Sequence, residues 1–316
     1  MTRDALVITG PTATGKTALS LRVAERLGGE VVSMDSRQVY RGMDIGTAKL
    51  PPGERRGIPH HGLDLVEPHE RYSAGAFARD ARRWIREIRA AGHLPLLVGG
   101  TGFFLRALTH PLFHEPSLDS GRRERLKGWL RQRPEALLRA WLRRLDPPTA
   151  AALEAGGGVQ RVARALEVAL LTGRPLSWWH AHAPTEQPPL SLRVFVLDLP
   201  REQLYRRIDA RVLAMLAAGL EQEVRELVAR GLDERAPGMN ATGYLELLAH
   251  FRGEASRAEA VAAIQGATRR YARRQLTWFR HQLPPDAVWL DARRPPDELA
   301  DEIARCWREE EEEEGS

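Results

Sequence analysis

Apolar residues along this chain fall into short runs separated by longer stretches of helical period. Ala5–Ile8, Glu30–Met34, Leu94–Val98 and Leu192–Leu197 are almost continuously apolar, the pattern of strands covered on both faces, and Val288–Leu290 reads as a last short strand. Between them the spacing turns helical. A helix from about Thr17 stops at Gly28-Gly29, and a second, capped by Ser73, runs to about Gly92 with Phe77, Trp84, Ile85 and Ile88 on its apolar side. Another starts at Pro200. In Thr268–Arg280 the arginines 269/273 and 270/274 line up, while Tyr271, Gln275 and Trp278 form another side. Strands alternating with helices predict an α/β fold on a parallel sheet. Residues 41–68, rich in glycine and proline, read as one long connection over its edge.

The pattern changes from about Leu112 to Pro189, where short arginine-rich helices are broken by Pro116, Pro134, Pro147-Pro148 and Gly156-Gly157-Gly158. Because the strand pattern resumes at Leu192, the expected organisation is a discontinuous core, 1–112 and 190–300. A helical insertion, 113–189, interrupts it, and a C-terminal end, 301–316, closes in a disordered acidic tail.

Composition narrows the class. With 43% hydrophobic residues the chain can bury a core, and its apolar runs are too short for a membrane span. The start carries no signal-peptide pattern, and a single cysteine, Cys306, excludes an internal disulfide framework or a cysteine metal cluster, so the expected location is the cytoplasm. Of the 47 basic residues 44 are arginine. The net charge of +5 becomes +11 over residues 1–308, without the six acids Glu309–Glu314. A body this basic favours a polyanionic partner.

The candidate chemistry begins at Gly10-Pro11-Thr12-Ala13-Thr14-Gly15-Lys16-Thr17, a phosphate-binding loop in the required context of strand before and helix after. In such a loop Lys16 reaches the outer phosphate and the Thr17 hydroxyl holds magnesium. Asp35 closes the second strand on the same edge, where an aspartate serves as a base, a magnesium partner or a plain turn cap. The turn Gly99-Gly100-Thr101-Gly102 adds backbone amides and a hydroxyl, with no acid where a nucleotide hydrolase often carries one. Gln160, Arg161 and Arg164 share a helical face suited to backbone phosphates, and Arg207 and Arg211 sit one turn apart, able to face one ligand or to pair with Glu202 and Asp209. His60-His61 with Asp64 lacks a third ligand at a recognised spacing. Three classes fit: a small-molecule kinase, a transferase with a diphosphate leaving group, and a nucleic-acid-binding ATPase.

The loop 10–17, the segment Asp35 to Lys49, Gly99 to Gly102, Arg161 to Glu167, Gly243-Tyr244 and Thr268 to Trp278 together resemble the ordered motifs of the tRNA dimethylallyltransferases. Thr14 stands where that family usually has serine, and Phe104 where tyrosine is common. The resemblance implies a phosphate-loop core and transfer of a dimethylallyl group from dimethylallyl diphosphate to the exocyclic amine of the adenosine 3′ of the tRNA anticodon. It further implies that the loop, with Arg207 or Arg211 and Mg2+, holds the diphosphate, that Asp35 takes the amine proton and that Thr101 helps to place the amine. Asp35, Ser36, Arg37 and Gln38 would receive the base. Arg123 and the run Val159, Gln160, Arg161, Val162, Ala163 would grip the anticodon stem-loop, and Arg273, Arg274 and Gln275 would touch the tRNA as well. A monomer is implied, with a small-molecule kinase as the alternative.

Overall fold

A strand with no wet face needs neighbours on both sides and cover above and below. In the computed structural model, which describes residues 3–110, 119–154, 156–182 and 188–315, these runs become β1 (Ala5–Thr9), β2 (Gly29–Ser33), β4 (Leu94–Val98), β5 (Leu192–Asp198) and β6 (Val288–Asp291). A two-residue strand, β3 (His60–His61), is added within the stretch read as pure connection, because Val31 and Val32 offer it a free edge. Among the described residues the six strands form one parallel sheet in the order β3-β2-β4-β1-β5-β6. The order reverses about β1, and open parallel sheets bind ligands outside the carboxyl ends of their strands at such a point.

Helices α1 (Lys16–Leu27), α2 (Ala74–Ala90) and α3 (Gly102–Thr109) follow β1, β3 and β4. As expected, Ser73 caps α2, its hydroxyl accepting from the Ala76 N–H. Next come α4 (Ser120–Arg131), α5 (Glu135–Leu145), α6 (Pro147–Glu154), α7 (Val159–Thr172) and α8 (Leu176–His182), and after β5 come α9 (Arg201–Ala217), α10 (Leu220–Ala229), α11 (Tyr244–Phe251), α12 (Arg257–Gln282) and α13 (Pro296–Gly315). Helix α12 starts well before Thr268, at a capping box in which Ser256 and Glu259 satisfy each other's backbone N–H.

The chain divides into two compact units, residues 1–110 with 189–316, and residues 111–188. In the first, sheet residues such as Leu6, Ile8, Leu96 and Phe195 pack with Leu19 and Val23 of α1, Ile208 of α9 and Ile303 and Trp307 of α13. A second cluster gathers Val39, Tyr40 and Met43 with Val212, Leu220, Val224, Tyr244 and Ile264, and so anchors the segment after Asp35. The other unit has its own apolar centre in Leu130, Leu138, Leu142, Val162 and Leu166. There Asp146 is buried; burial pushes its carboxyl up, but hydrogen bonds from Ser177 and Thr149 hold it below the usual range.

The acidic tail expected to be disordered, Glu309–Glu314, is helical. Residues 301–315 complete α13, which buries Ile303, Ala304 and Trp307, and Glu310 meets Arg3 at 3.3 Å and Arg193 at 2.8 Å. The spacing Leu299, Ile303, Trp307 is an apolar helical stripe, and glutamate is a good helix former, so the acidic run extends a docked helix. Among the described residues no helix is long and apolar enough to cross a membrane.

Candidate active site

The loop leaving β1 takes its shape from where side chains are missing. Gly10 has φ 140°, and a Cβ there would lie 2.5 Å from the Leu197 carbonyl oxygen, so the chain passes β5 this closely only as glycine. Left-handed turns at Ala13 and Gly15 then carry it into α1. The Thr14 hydroxyl is buried and donates to the Pro11 carbonyl at 2.9 Å; it braces the loop from inside. Helix α1 begins without a side-chain cap and without an acid in its first turn. Its first N–H groups and its positive dipole end are therefore available to an anion.

Lys16 curls back over this loop, donating to the carbonyls of Gly10 at 3.0 Å and Pro11 at 2.7 Å. Burial, and then the charge of Arg211, lower its pKa to about 7 against the pull of Asp35. Arg211 is itself lowered by burial and raised by Asp35. Lys16, Asp35 and Arg211 line one cavity of about 570 Å3 at the carboxyl edge of the sheet. Its polar floor is Thr12, Ala13, Gly15, Lys16 and Thr17 with Gly99-Gly100, and Ile208, Val212, Met215, Leu220 and Ile264 form an apolar wall.

Asp35 accepts the Arg37 N–H on Oδ1 at 2.8 Å, and Oδ2 takes no hydrogen bond from a described residue. The Thr101 hydroxyl accepts the Ser36 N–H at 3.0 Å and so ties the turn after β4 to the turn after β2. Tyr271 of α12 lines the cavity, its hydroxyl near Asp35 and Thr101. Its hydroxyl is pushed up to about 12, by burial first and by Asp35 second, with Arg37, Thr101 and Arg274 acting against them. The spacing of Thr268, Tyr271, Arg274 and Gln275 signals this face, yet only the last two were expected at the site.

The other expected residues lie in differing settings. Arg207 lies outside the main cavity, with Nη2 3.4 Å from the Ala292 carbonyl, and Asp209 makes a bidentate pair with Arg269; of the two arginines it is Arg211 that faces Lys16 and Asp35. Gln38 lines the cavity but spends its amide on Thr47, Ala48 and Ser33, and Arg37 donates to the Pro237 carbonyl. Gln275 is buried; it accepts the Thr12 N–H at 3.0 Å and donates to the Gly100 carbonyl at 2.8 Å, clamping two loops. Arg273 is exposed, and Arg274 lies over the Tyr271 ring at 5.8 Å while lining the cavity. Phe104 is buried on Phe77, ring to ring at 4.2 Å, a place with no need of a hydroxyl.

In the helical unit Val162 is fully buried and Ala163 half-buried, while Val159, Gln160 and Arg161 are exposed. Arg123 pairs with the buried Glu167 at 2.7 Å, and Arg164 bonds to the same carboxylate oxygen, so neither stands ready as a simple surface cation. Lys49, in the segment beside the phosphate loop, is also structural: its ammonium joins Asp44 at 2.7 Å and Asp64 at 2.5 Å. Sequence reading missed Glu223, whose carboxylate accepts the N–H groups of Asp44, Ile45 and Gly46 and the Tyr244 hydroxyl.

The chain resembles known proteins in sequence and in fold. The family model for IPP transferase matches residues 38–282, and that for isopentenyl transferase residues 3–58. The tRNA dimethylallyltransferase of Solibacter usitatus is 47% identical over 285 residues, covering 90% of this chain and 92% of that protein. That of Pelotomaculum thermopropionicum is 43% identical, covering 95% of each. Among solved structures, the full-length tRNA isopentenylpyrophosphate transferase of Bacillus halodurans is 37% identical with a TM-score of 0.72, covering 99% of this chain and 100% of that one. A eukaryotic dimethylallyltransferase acting on tRNA is 28% identical with a TM-score of 0.79, covering 92% of this chain and 74% of that one. With a phosphate-loop α/β core, and with likeness of this extent over nearly all its length, the chain belongs to the tRNA dimethylallyltransferase family, the IPP transferases.

Proposed function

We propose that this enzyme transfers the dimethylallyl group of dimethylallyl diphosphate to the exocyclic amine of the adenosine 3′ of a tRNA anticodon, releasing pyrophosphate. One observation carries the reading: a single cavity brings together an uncapped phosphate loop, a carboxylate with an open oxygen and an apolar wall large enough for a five-carbon group. The membership in a family of tRNA-modifying transferases supplies the acceptor.

In this reading the loop amides, Lys16 and Arg211 hold the diphosphate, and Ile208, Val212, Met215 and Leu220 take the allyl tail. The amine nitrogen attacks the allylic carbon, the carbon–oxygen bond to the diphosphate breaks, and the proton lost by nitrogen passes to Asp35. Positive groups already fixed at the loop stabilise the charge as it develops on the leaving pyrophosphate. Thr101, tied to the Ser36 N–H, orients the amine beside Asp35. An amine inside a stacked loop is out of reach, so the base is turned out into the cavity. The residues fit a magnesium ion: Thr17, exposed in the first turn of α1 and with a hydroxyl that no described residue engages, would hold it beside the bound diphosphate. When bound, the ion supplies positive charge for the departing pyrophosphate. The same reading gives a monomer working in the cytoplasm.

The test is a transfer assay with unmodified tRNA, dimethylallyl diphosphate and magnesium, followed by mass analysis of the digested nucleosides. A gain of one isoprenoid unit on adenosine is expected. Asp35→Asn, which keeps an acceptor for the Arg37 N–H, should lower kcat about 100-fold or more while both substrates still bind. No gain on adenosine, with ATP consumed when small nucleosides are offered, would replace this reading by the kinase.

A further inference from the structure

Helix α3 starts directly after Thr101, and its helical phase divides it cleanly. Phe104, Leu105, Ala107 and Leu108 are buried, whereas Phe103 and Arg106, one turn apart, face outward. Phe103 is 61% exposed, more than any other large apolar residue described. A lone exposed apolar residue needs no explanation; this one has a particular setting. It lies two residues from Thr101 and three from Gly100, which lines the cavity at the carboxyl edge of the sheet. Helix α12 packs against the start of α3 so closely that a Cβ at Gly102 would lie 2.4 Å from the Trp278 ring. Along α12 the residues Arg273, Arg274 and Thr277 are exposed, and Arg106 reaches across from α3 to Gln282. A solvent-facing aromatic ring thus stands on a helix packed against an arginine-bearing one, two residues from Thr101. Stacking of bases on aromatic side chains within a positive groove is how proteins hold single-stranded RNA.

We infer that Phe103 is a stacking platform for a loop base that flanks the target adenosine, a positioning residue that holds the anticodon loop open once the adenosine has turned into the cavity. The inference rests on the proposed transfer reaction. Withdrawing one base from a stacked loop leaves its neighbour without a partner face, and the exposed phenyl ring of Phe103 replaces that face. Phe103 acts on the bound RNA and leaves the diphosphate substrate untouched.

The experiment uses the full chain and anticodon stem-loop RNAs carrying 2-aminopurine at each position next to the target in turn, with steady-state transfer measured alongside. Stacking on Phe103 should quench the fluorophore at one of these positions when the protein binds. Phe103→Ala should abolish that quenching and raise KM for the RNA about tenfold or more, with KM for dimethylallyl diphosphate unchanged. Phe103→Trp should restore both, and Phe103→Leu should restore neither. Quenching and KM unaltered in Phe103→Ala, or full rescue by leucine, would overturn the platform while transfer by the wild-type enzyme keeps the reaction intact. Absence of transfer by the wild type itself would instead strike the proposed function.

Discussion

At Lys16, burial and charge set the sign of a pH dependence. Enclosed by its own loop and faced by Arg211, its ammonium has a pKa of about 7 where an unfolded lysine has 10.5. From about 7 to 10.5 the unfolded chain therefore holds a proton that the folded one releases, and this group's contribution to stability rises with pH across that window. A diphosphate in the loop reverses the balance, because its negative charge favours the ammonium. Pyrophosphate binding at pH 8 should take up close to one proton, and affinity should fall by up to about tenfold per pH unit above 7 until the bound-state pKa is passed. Calorimetry in two buffers of different ionisation enthalpy reads the uptake directly, and Lys16→Met should remove it. Zero uptake by the wild type would mean that Lys16 does not meet the ligand. Lys16 was legible because the loop's chemistry is local. Arg207 and Arg211 were not separable, because one helical turn gives them almost the same face, and the neighbours that divide them, Ala292 and Asp35, lie far away in sequence.

The segment Met43 to Lys49 is held as an element by a side chain that local sequence does not reveal. Glu223 of α10 accepts N–H groups from Asp44 at 2.7 Å, Ile45 at 2.6 Å and Gly46 at 3.0 Å, and the Tyr244 hydroxyl at 2.6 Å. Beside that carboxylate, and with burial acting first, the Tyr244 hydroxyl is pushed far above its ordinary range. Glu223→Ala would strip a half-exposed turn of its acceptor. Hydrogen bonds to a charged group contribute about 1.5–3 kcal/mol, and water replaces part of what is lost, so a destabilisation of about 2–3 kcal/mol is expected in urea unfolding. Tyr244→Phe, losing one of the four bonds, should cost less than half as much, whereas equal losses would locate the effect in the packing of the ring. The strands and the cap of α2 were readable because period and capping act over a few residues. Glu223 and Gln275 act on backbone groups 177 and 263 positions away, where no periodicity reports them. The resemblance implied an RNA contact for Gln275, whereas its amide is spent on Thr12 and Gly100.

Charge is a property of the molecule as a whole, and here it is unevenly committed. Residues 1–308 carry +11, yet many arginines are already paired within the fold: Arg3 and Arg193 with Glu310, Arg269 with Asp209, and Arg123 and Arg164 with Glu167. The acidic run expected to trail in solvent is instead part of a docked helix, so at least Glu310 neutralises arginines of the sheet domain rather than screening the RNA. What attracts a polyanion is then the set of exposed arginines outside these pairs, among which Arg161 stands on the open side of α7 while Val162 beside it is buried. Each phosphate neutralised by such a residue adds about 0.7–0.9 to the slope of log affinity against log salt. Arg161→Ala should lower that slope by about this amount and weaken tRNA binding in dilute salt, with the two binding curves converging as salt rises. Arg164→Ala removes a cation already spent on Glu167 and should leave the slope nearly unchanged. Equal slopes for wild type and Arg161→Ala would make Arg161 an ordinary solvated residue and shift the electrostatic grip to the exposed arginines of α12, where Arg270→Ala and Arg273→Ala should then carry the salt dependence.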